Sequence, residues 1–335
     1  MKAMTQDAYG SADVLRLDDI PIPTPKPDEV LIRVHAAGVG PEVWHPMTGQ
    51  PYLVRVMGYG VRRPKIPVPG RDLAGTVEAV GTDVKDLEVG DEVYGSGRGT
   101  LAEYACAPAG RIAPKPSNLS FVQAAAVPVS GCTALLGLRD EGRVQPDQSV
   151  LIIGASGGVG TFAVQLAKTF EAQVTGVCST PKVDLVRALG ADHVIDYTRE
   201  DFATKPQRYD LILDTAGRRS VARLRRALMP AGTLVIVGGE GGDRVTGGFL
   251  QRQIGSLVLN PFVQQRLRGL ASNERREDLL YLKDVIESGV VKPVIDRTYP
   301  LDEAAKALRD DEQGHGRGKK VVTVLADEPP RDEPR

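Results

Sequence analysis

Three glycines, each separated by two residues, stand between an apolar run and a helical pattern: Gly154, Gly157 and Gly160. Glycines adopt unusual backbone angles and, because they lack a β-carbon, let the main chain approach a pyrophosphate closely. The helix that follows offers unpaired N–H groups and the positive end of its dipole to the phosphates. The pattern predicts a dinucleotide site. The residues expected to line the pyrophosphate are Ser156, Gly157, Gly158, Val159 and Gly160.

The residues after the second apolar run indicate which dinucleotide binds. NAD-binding folds usually place an acidic residue at the end of the second strand, where it holds the ribose 2′-hydroxyl. Here the strand ends at Cys178 and continues as Ser179-Thr180-Pro181-Lys182, without a carboxylate. Hydroxyls and a lysine suit a 2′-phosphate, so NADPH is predicted as the cofactor, with Cys178, Ser179 and Lys182 at its site. The alternative for Lys182 is a solvated residue in the first turn of a helix.

The elements that must position these residues follow two patterns. From Ser149 onward, buried-strand runs alternate with helical periodicity, which predicts a parallel sheet covered by helices on both faces. The first 120 or so residues contain period-2 strands, turns and many prolines and glycines, which predicts a β-rich domain.

Length and composition limit the class of protein. A chain of 335 residues is roughly twice a typical domain, and 41% hydrophobic content suffices for a sizeable core. The net charge of −1 argues against a large nucleic-acid surface or an anionic-membrane anchor. Three scattered cysteines make no disulfide framework, and no run of about 18 apolar residues exists. A cytoplasmic protein without nucleic-acid or membrane partners is expected.

Five segments, in order along the chain, resemble the medium-chain dehydrogenase/reductase superfamily, and most closely its zinc-free quinone oxidoreductase branch. They are VLIIGASGGVG, LGADHVIDY, YDLILDTAG, GTLVIVGG and GHGRGKKVV. The segment from VHAAGVG to PVPGRDLAGTVEAVG is similar to the N-terminal domain of that family. The resemblance implies an α/β fold in two domains. These are a GroES-like β-rich catalytic domain, residues 1–122 completed by 293–335, and a Rossmann domain with a doubly wound parallel sheet, residues 123–292.

Zinc alcohol dehydrogenases of this superfamily bind a catalytic metal through a cysteine, a His-Glu pair and a second cysteine. The matching positions in this chain are Gly40, Gly70-Arg71-Asp72 and Val129. Asp72 alone cannot hold a zinc ion. The resemblance therefore implies an enzyme without a metal. The chain also reads Val39-Gly40-Pro41-Glu42-Val43 where many relatives have an asparagine that can address the substrate.

Without a Lewis acid, the acceptors expected are quinones and α,β-unsaturated carbonyls, whose conjugated systems spread the incoming charge. Tyr52 and Tyr59, in the loop of the implied substrate cleft, are candidate catalytic donors, or else packing or lid residues. Thr133 matches a family position beside the nicotinamide, so it is a candidate for catalysis and cofactor binding. The other cofactor residues implied by strand position or family match are Tyr197, Val237, Gly238, Gly239, Phe262, Val263 and Lys319.

The leading hypothesis is an NADPH-dependent, zinc-independent reductase of quinones or enones. One alternative is an enoyl-thioester reductase of polyketide or lipid metabolism, in which Arg62, Arg63 and Lys65 attract a phosphate of the thioester carrier. Another is a non-catalytic NADPH-binding sensor. A homodimer is expected, because the family commonly pairs strands at the Rossmann edge and SLVLN (256–260) reads as such an edge strand.

Overall fold

Two large β-sheets organise the chain in the computed structural model, which describes residues 1–239, 245–314 and 316–325. His315 of the GHGRGKKVV segment and the tail 326–335 lie outside these ranges. The strands are β1 Lys2–Thr5, β2 Arg16–Asp19, β3 Glu29–Val39, β4 Asp72–Val80, β5 Glu92–Ser96, β6 Tyr104–Pro108, β7 Ile112–Pro114, β8 Ser149–Ile153, β9 Gln173–Cys178, β10 His193–Asp196, β11 Tyr209–Asp214, β12 Leu228–Ile236, β13 Arg266–Gly269, β14 Ile295–Pro300 and β15 Lys319–Thr323. The helices are α1 Pro41–Thr48, α2 Phe121–Ala125, α3 Pro128–Leu136, α4 Gly158–Thr169, α5 Val183–Ala188, α6 Val221–Arg226, α7 Gly247–Leu259, α8 Arg276–Glu287 and α9 Ala304–Glu312.

The second sheet in the chain is parallel throughout, in the order β10-β9-β8-β11-β12-β13. Its strands are apolar runs such as Val150–Ile153 because helices cover both faces. β9 and β10 lie on one side of β8, and β11, β12 and β13 lie on the other, so the strand order reverses between β8 and β11. Ligands of doubly wound sheets bind at such a switch point, beyond the carboxyl ends of the strands. The prediction of a Rossmann sheet is confirmed.

The first sheet runs β14-β15-β3-β4-β5-β7, with β6 paired to β3. β15 lies between β14 and β3, antiparallel to β3, although it comes from the end of the described chain. The C-terminal segment therefore completes the GroES-like sheet, as the resemblance implied. The strands of this sheet come from residues 29–114 and 295–323, and the boundaries at 122/123 and 292/293 stay predictions.

One segment was predicted wrongly. SLVLN does not form an edge strand, because residues 256–259 are the last turn of α7 and Asn260 follows it. Ser256 is buried there, whereas Leu257 and Val258 are largely exposed. A five-residue apolar run fits a strand and a buried helix turn equally well, and only its place in a 13-residue helix separates the two. The free edge of the Rossmann sheet on this side is β13.

No helix within the described ranges is long and apolar enough to cross a membrane. Cys106, Cys132 and Cys178 are all free thiols. The cytoplasmic location stays a prediction.

A buried hydrogen bond ties the two parts of the chain together. The hydroxyl of Tyr94 on β5 donates to the Leu279 carbonyl of α8 across 2.5 Å. Both residues are fully buried, so no water replaces this hydrogen bond when the donor is lost.

We expect Tyr94→Phe to lower the free energy of unfolding by about 1–2 kcal/mol, because one buried hydrogen bond is lost. Urea unfolding without cofactor measures this loss. The matched control is Tyr281→Phe on α8, since that hydroxyl makes no hydrogen bond within the described residues. Equal stability of the two variants would contradict the assignment.

Candidate active site

The glycine turn connects β8 to α4 in the geometry that a pyrophosphate requires. Gly154 has φ +84°, and a β-carbon on it would lie 2.5 Å from the Thr215 hydroxyl. A β-carbon on Gly160 would lie 2.1 Å from the Gly154 carbonyl oxygen, so the turn admits only glycine there. No side chain caps the start of α4, which leaves its first N–H groups available to an anion. The turn therefore fits a dinucleotide, and Ser156 to Gly160 lie in it.

The carboxyl end of β9 forms a second part of the site, where a 2′-phosphate was predicted. The Cys178 side chain is buried, and the Cys178 backbone carbonyl accepts a hydrogen bond from the Tyr197 N–H at 3.1 Å. Tyr197 therefore lies beside Cys178, with its own side chain half exposed. Ser179 precedes a short 3₁₀ turn, Thr180–Lys182, and its side chain makes no capping hydrogen bond there. Burial of the thiol raises the pKa of Cys178 to about 11, so it is a neutral group at this position.

Lys182 lies among other cations. Burial lowers the pKa of Lys182. The negative charge of Asp296 acts to raise this pKa, whereas the positive charges of Lys320 and Arg317 lower it. Arg317 donates to the Pro181 carbonyl at 2.9 Å, which brings it to the same turn. Within the described chain Lys182 makes no ion pair with a carboxylate, whereas Lys320 pairs with Asp311 at 3.2 Å. The turn is electropositive, as a 2′-phosphate requires.

Sequence reasoning missed two groups at this turn. Arg317 was overlooked because it lies 136 residues from Pro181 in the chain. Asp196, opposite Cys178 on β10, is a carboxylate near the predicted ribose position. It accepts hydrogen bonds from Thr180 and Thr198, and these hold its pKa below the usual range. Its oxygens are thereby engaged within the turn.

The residues after β12 lie at the same edge of the sheet. The N–H groups of Val237 and Gly238 both donate to the Asp214 carbonyl at 3.0 Å. Arg252 of α7 makes an ion pair with the buried Asp214 carboxylate and donates to the Gly238 carbonyl at 2.8 Å. Arg252 thus fixes Val237, Gly238 and Gly239 beside the switch point, a role the sequence did not reveal.

Phe262 and Val263 lie away from these residues, and their role as cofactor residues stays a prediction. They precede β13, whereas the switch point lies beyond the carboxyl ends of the strands. Phe262 is 83% exposed and lines a shallow cavity of about 490 Å³ with residues of α6 and the start of β12. The residue at the carboxyl end of β13 is Leu270, whose N–H donates to the Ile236 carbonyl at 3.0 Å.

The three predicted catalytic residues have different surroundings. Thr133 is buried in α3, and its hydroxyl donates to the Val129 carbonyl at 2.6 Å, so only its lone pairs remain for a ligand. Tyr52 and Tyr59 lie in an exposed loop, where the Arg55 guanidinium stacks 4.7 Å from the Tyr52 ring. The loop contacts the Rossmann side through the Leu53 N–H, which donates to the Val245 carbonyl at 3.0 Å.

Lys319 lies at the junction of the two sheets. The Gly318 N–H donates to the Ser156 carbonyl at 2.9 Å, which joins the start of β15 to the glycine turn. The Lys319 side chain runs along that turn, with Cδ 3.5 Å from the β-carbon position of Gly158. Its ammonium lies 2.5 Å from Glu42 Oε1 and 3.0 Å from Asp72 Oδ2. We call these three residues the Lys319 cluster.

The Lys319 cluster occupies the region matched to the metal ligands of the zinc enzymes. Asp72 Oδ1 accepts the Val129 N–H at 2.9 Å, and a β-carbon on Gly40 would lie 2.5 Å from Glu42 Oε2. Glu42 was not predicted, because it lies 277 residues from Lys319 in the chain. The described residues contain no group of three or more His, Cys, Asp or Glu side chains that could hold a metal ion.

Burial shifts the proton affinities of the Lys319 cluster. Burial raises the pKa of Asp72 to about 6; the Glu42 charge adds to this, and Lys319 opposes it. Burial acts to lower the pKa of Lys319, but Asp72 and Glu42 outweigh it and raise the pKa. Lys319 is therefore a fixed cation, whereas Asp72 can take up a proton near pH 6.

Comparison with known proteins gives consistent matches over the whole chain. The family described as "Alcohol dehydrogenase GroES-like domain" matches residues 26–117, and the family described as "Zinc-binding dehydrogenase" matches residues 189–322. The 2-methylene-furan-3-one reductase of Solanum lycopersicum is 36% identical over 96% of this chain and 79% of its own length. The quinone oxidoreductase structure from Coxiella burnetii has a TM-score of 0.85 and 31% identity over 97% of this chain and 99% of that one. The Escherichia coli quinone oxidoreductase complexed with NADPH has a TM-score of 0.83 and 26% identity over 97% and 100%.

The cation cluster around Lys182 predicts how the protein discriminates between cofactors. Lys182→Ala and Arg317→Ala should each weaken NADPH binding roughly ten- to a hundredfold, because a charge-assisted contact to the 2′-phosphate is worth about 1.5–3 kcal/mol. NADH, which lacks that phosphate, should bind nearly unchanged. Calorimetric or fluorescence titration gives both dissociation constants. Arg309→Ala, on α9 and paired with Asp13, is the charge-matched control. If the ratio of the NADPH and NADH dissociation constants is unchanged in Lys182→Ala, Lys182 does not bind the 2′-phosphate.

The raised pKa of Asp72 predicts a pH dependence of stability. The native protein binds this proton more tightly than the unfolded chain, where the pKa is near 3.8. The contribution of Asp72 to stability is therefore greatest below about pH 4 and falls as the pH rises through about 6. Asp72→Asn does not titrate, so its stability relative to wild type should rise from pH 4.5 to 7.5. Urea unfolding across this range measures the difference, and a constant difference would show that Asp72 titrates normally.

Proposed function

Because the chain belongs to the medium-chain dehydrogenase/reductase superfamily, in its quinone oxidoreductase-like branch, we propose that it is a metal-independent reductase of quinones or α,β-unsaturated carbonyls. It is an oxidoreductase that binds NADP(H). The single observation that carries the proposal is the Lys319 cluster, an ammonium held by two buried carboxylates, of which Asp72 stands at a position matched to a zinc ligand and Glu42 lies two residues beyond another.

The donor set at those positions supports metal independence. Gly40 and Val129 offer no side-chain ligand, and Arg71 is a cation paired with the buried Glu274 at 2.6 Å. Asp72 is already engaged by Lys319 and by the Val129 N–H. A zinc ion needs four ligands, commonly cysteine, histidine or carboxylate, and its charge would be placed beside Lys319.

A conjugated acceptor suits a site built this way. NADPH supplies the hydride when bound, and a quinone or enone spreads the resulting negative charge over its own π-system. The names of the tomato reductase and of the two bacterial quinone oxidoreductases describe such conjugated carbonyls. Within this chain, Tyr52 and Tyr59 are the donors available from the exposed loop, and Thr133 supports the cofactor from α3.

A thioester acceptor is the second candidate function. Arg62, Arg63 and Lys65 are exposed in the same loop as Tyr52 and Tyr59, where they can attract the phosphate of a coenzyme A or phosphopantetheine carrier. The non-catalytic alternative is not retained, because the family assignment makes the chain an enzyme.

We expect the purified protein to oxidise NADPH with 1,4-benzoquinone or a vinyl ketone, and to keep that activity in excess chelator. The rate with crotonyl-CoA separates the two acceptor classes, and Arg62→Ala/Arg63→Ala/Lys65→Ala should lower only a thioester rate. Activity that disappears with a chelator and returns with zinc would contradict the proposal.

We further propose that the protein is a homodimer formed at the free edge of the Rossmann sheet. β13 is unpaired on its outer side within the described chain, and α7 presents Ile254, Leu257 and Val258 beside it with half or more of each side chain exposed. Pairing of β13 with its copy would cover these groups.

Light scattering at micromolar concentration should therefore give a mass of about twice 35.9 kDa. Leu257→Lys/Val258→Lys should shift the mass toward the monomer, because two buried charges would oppose the interface. A monomeric wild type would contradict this proposal.

A further inference from the structure

The charge of the Lys319 cluster is unbalanced. Glu42 and Asp72 carry two negative charges above pH 6, and Lys319 carries one positive charge, so the cluster has a net charge of −1. The exposed fractions of the three side chains are 10%, 0% and 5%, so water screens this charge little.

The surrounding ions do not remove the excess charge. Arg71 is paired with Glu274 at 2.6 Å, and Lys320 is paired with Asp311 at 3.2 Å. Asp296 adds a further carboxylate 3.9 Å from Lys320. These paired neighbours therefore contribute no net positive charge to the Lys319 cluster, and the cations Lys182 and Arg317 belong to the separate turn after β9.

The cluster touches both parts of the predicted cofactor site. The Lys319 stem lies against Gly158 of the glycine turn, and Asp72 accepts the Val129 N–H at the start of α3. Ser130, the next residue of α3, has its hydroxyl 3.1 Å from the β-carbon position of Gly158. The negative charge is thus placed between the pyrophosphate turn and the helix that carries Thr133.

We propose that Glu42 and Asp72 set the redox preference of the enzyme by stabilising oxidised cofactor over reduced cofactor through the net negative charge of the Lys319 cluster. This inference rests on the proposed function. When the cofactor reduces a conjugated carbonyl, the acceptor gains a hydride and a solvent proton, and the nicotinamide ring changes from neutral to singly positive. A buried negative charge nearby favours the positive ring, so it favours hydride release.

Lys319 has a positional role in this arrangement. Its ammonium keeps two like-charged carboxylates together in a buried place, where alone they would repel each other and bind a proton. Because Lys319 is anchored to the glycine turn, the carboxylates are held beside the cofactor site rather than in the β-domain core. Lys319 is therefore the positioning residue, and Glu42 and Asp72 act on the cofactor through their charge.

The test is the ratio of dissociation constants for NADP⁺ and NADPH, measured by titration at pH 8 without any acceptor. Glu42→Gln keeps the side-chain shape and an oxygen for Lys319 but removes one charge. We expect the ratio of the NADP⁺ constant to the NADPH constant to rise on the order of tenfold, the effect of one charge about 10 Å away in a medium of effective dielectric about 20. For a two-electron couple, tenfold corresponds to a shift of about 30 mV in the potential of the bound cofactor.

Glu277→Gln on α8, which removes an exposed charge paired with Arg275, is the matched control and should leave the ratio unchanged. An equal weakening of both cofactor forms in Glu42→Gln would show a purely structural role and overturn the inference. An unchanged ratio would also overturn it. A wild type that binds neither form would instead defeat the proposed function, so the two failures are distinguishable.

A second measurement needs no variant. Lowering the pH from 8 to 5 protonates Asp72, whose pKa is about 6, and brings the cluster toward neutrality. The groups facing it are Glu42 and Lys319, with Arg71, Glu274, Asp311 and Lys320 behind them. The ratio of the NADP⁺ constant to the NADPH constant should therefore rise in wild type. Protonation of the adenosine phosphates affects both cofactor forms alike, so it does not change this ratio. A pH-independent ratio would contradict the inference.

Discussion

The ion pairs of Lys319 are the contact on which the rest of the site depends. A buried ammonium is unfavourable alone, and it is stable here only because Glu42 and Asp72 surround it. Those carboxylates lie on α1 and β4 and the lysine lies on β15, all in the β-rich domain. Gly318, which precedes the lysine, donates its N–H to the Ser156 carbonyl of the glycine turn. The ion pairs therefore hold three elements of the β-rich domain together beside the nucleotide turn.

The electrostatics of the cleft divide into two regions of opposite sign. Around Lys182 and Arg317, positive charges gather at the end of β9 with few carboxylates left unpaired. Around Asp72 and Glu42, the sign is negative. The phosphate end of a reduced dinucleotide matches the first region, and the charge that its other end acquires on oxidation matches the second. The same chain thus selects the cofactor at one end and biases its chemistry at the other.

The sequence predicted what local pattern determines. The β8 run, the glycine turn and α4 are contiguous, so periodicity and glycine spacing were sufficient, and the parallel order of the Rossmann sheet followed from strand and helix alternation. Prediction from local sequence patterns failed where the structure depends on several strands or on residues far apart in the chain. The place of Phe262 and Val263, before β13 and away from the switch point, depends on the pairing of that strand, and the helical state of residues 256–259 depends on the full length of α7. Glu42 and Arg317 act through partners far away in the chain, which no local pattern reveals.

The glycine turn and the Lys319 cluster are expected to act on one bound cofactor. A crystal structure of the protein with NADP⁺ tests it most directly. We expect the pyrophosphate at the first N–H groups of α4 and the nicotinamide ring within about 10 Å of the Lys319 ammonium, near enough for a buried charge to act. A ring directed away from Glu42 and Asp72, or a cofactor seated elsewhere on the Rossmann sheet, would contradict it.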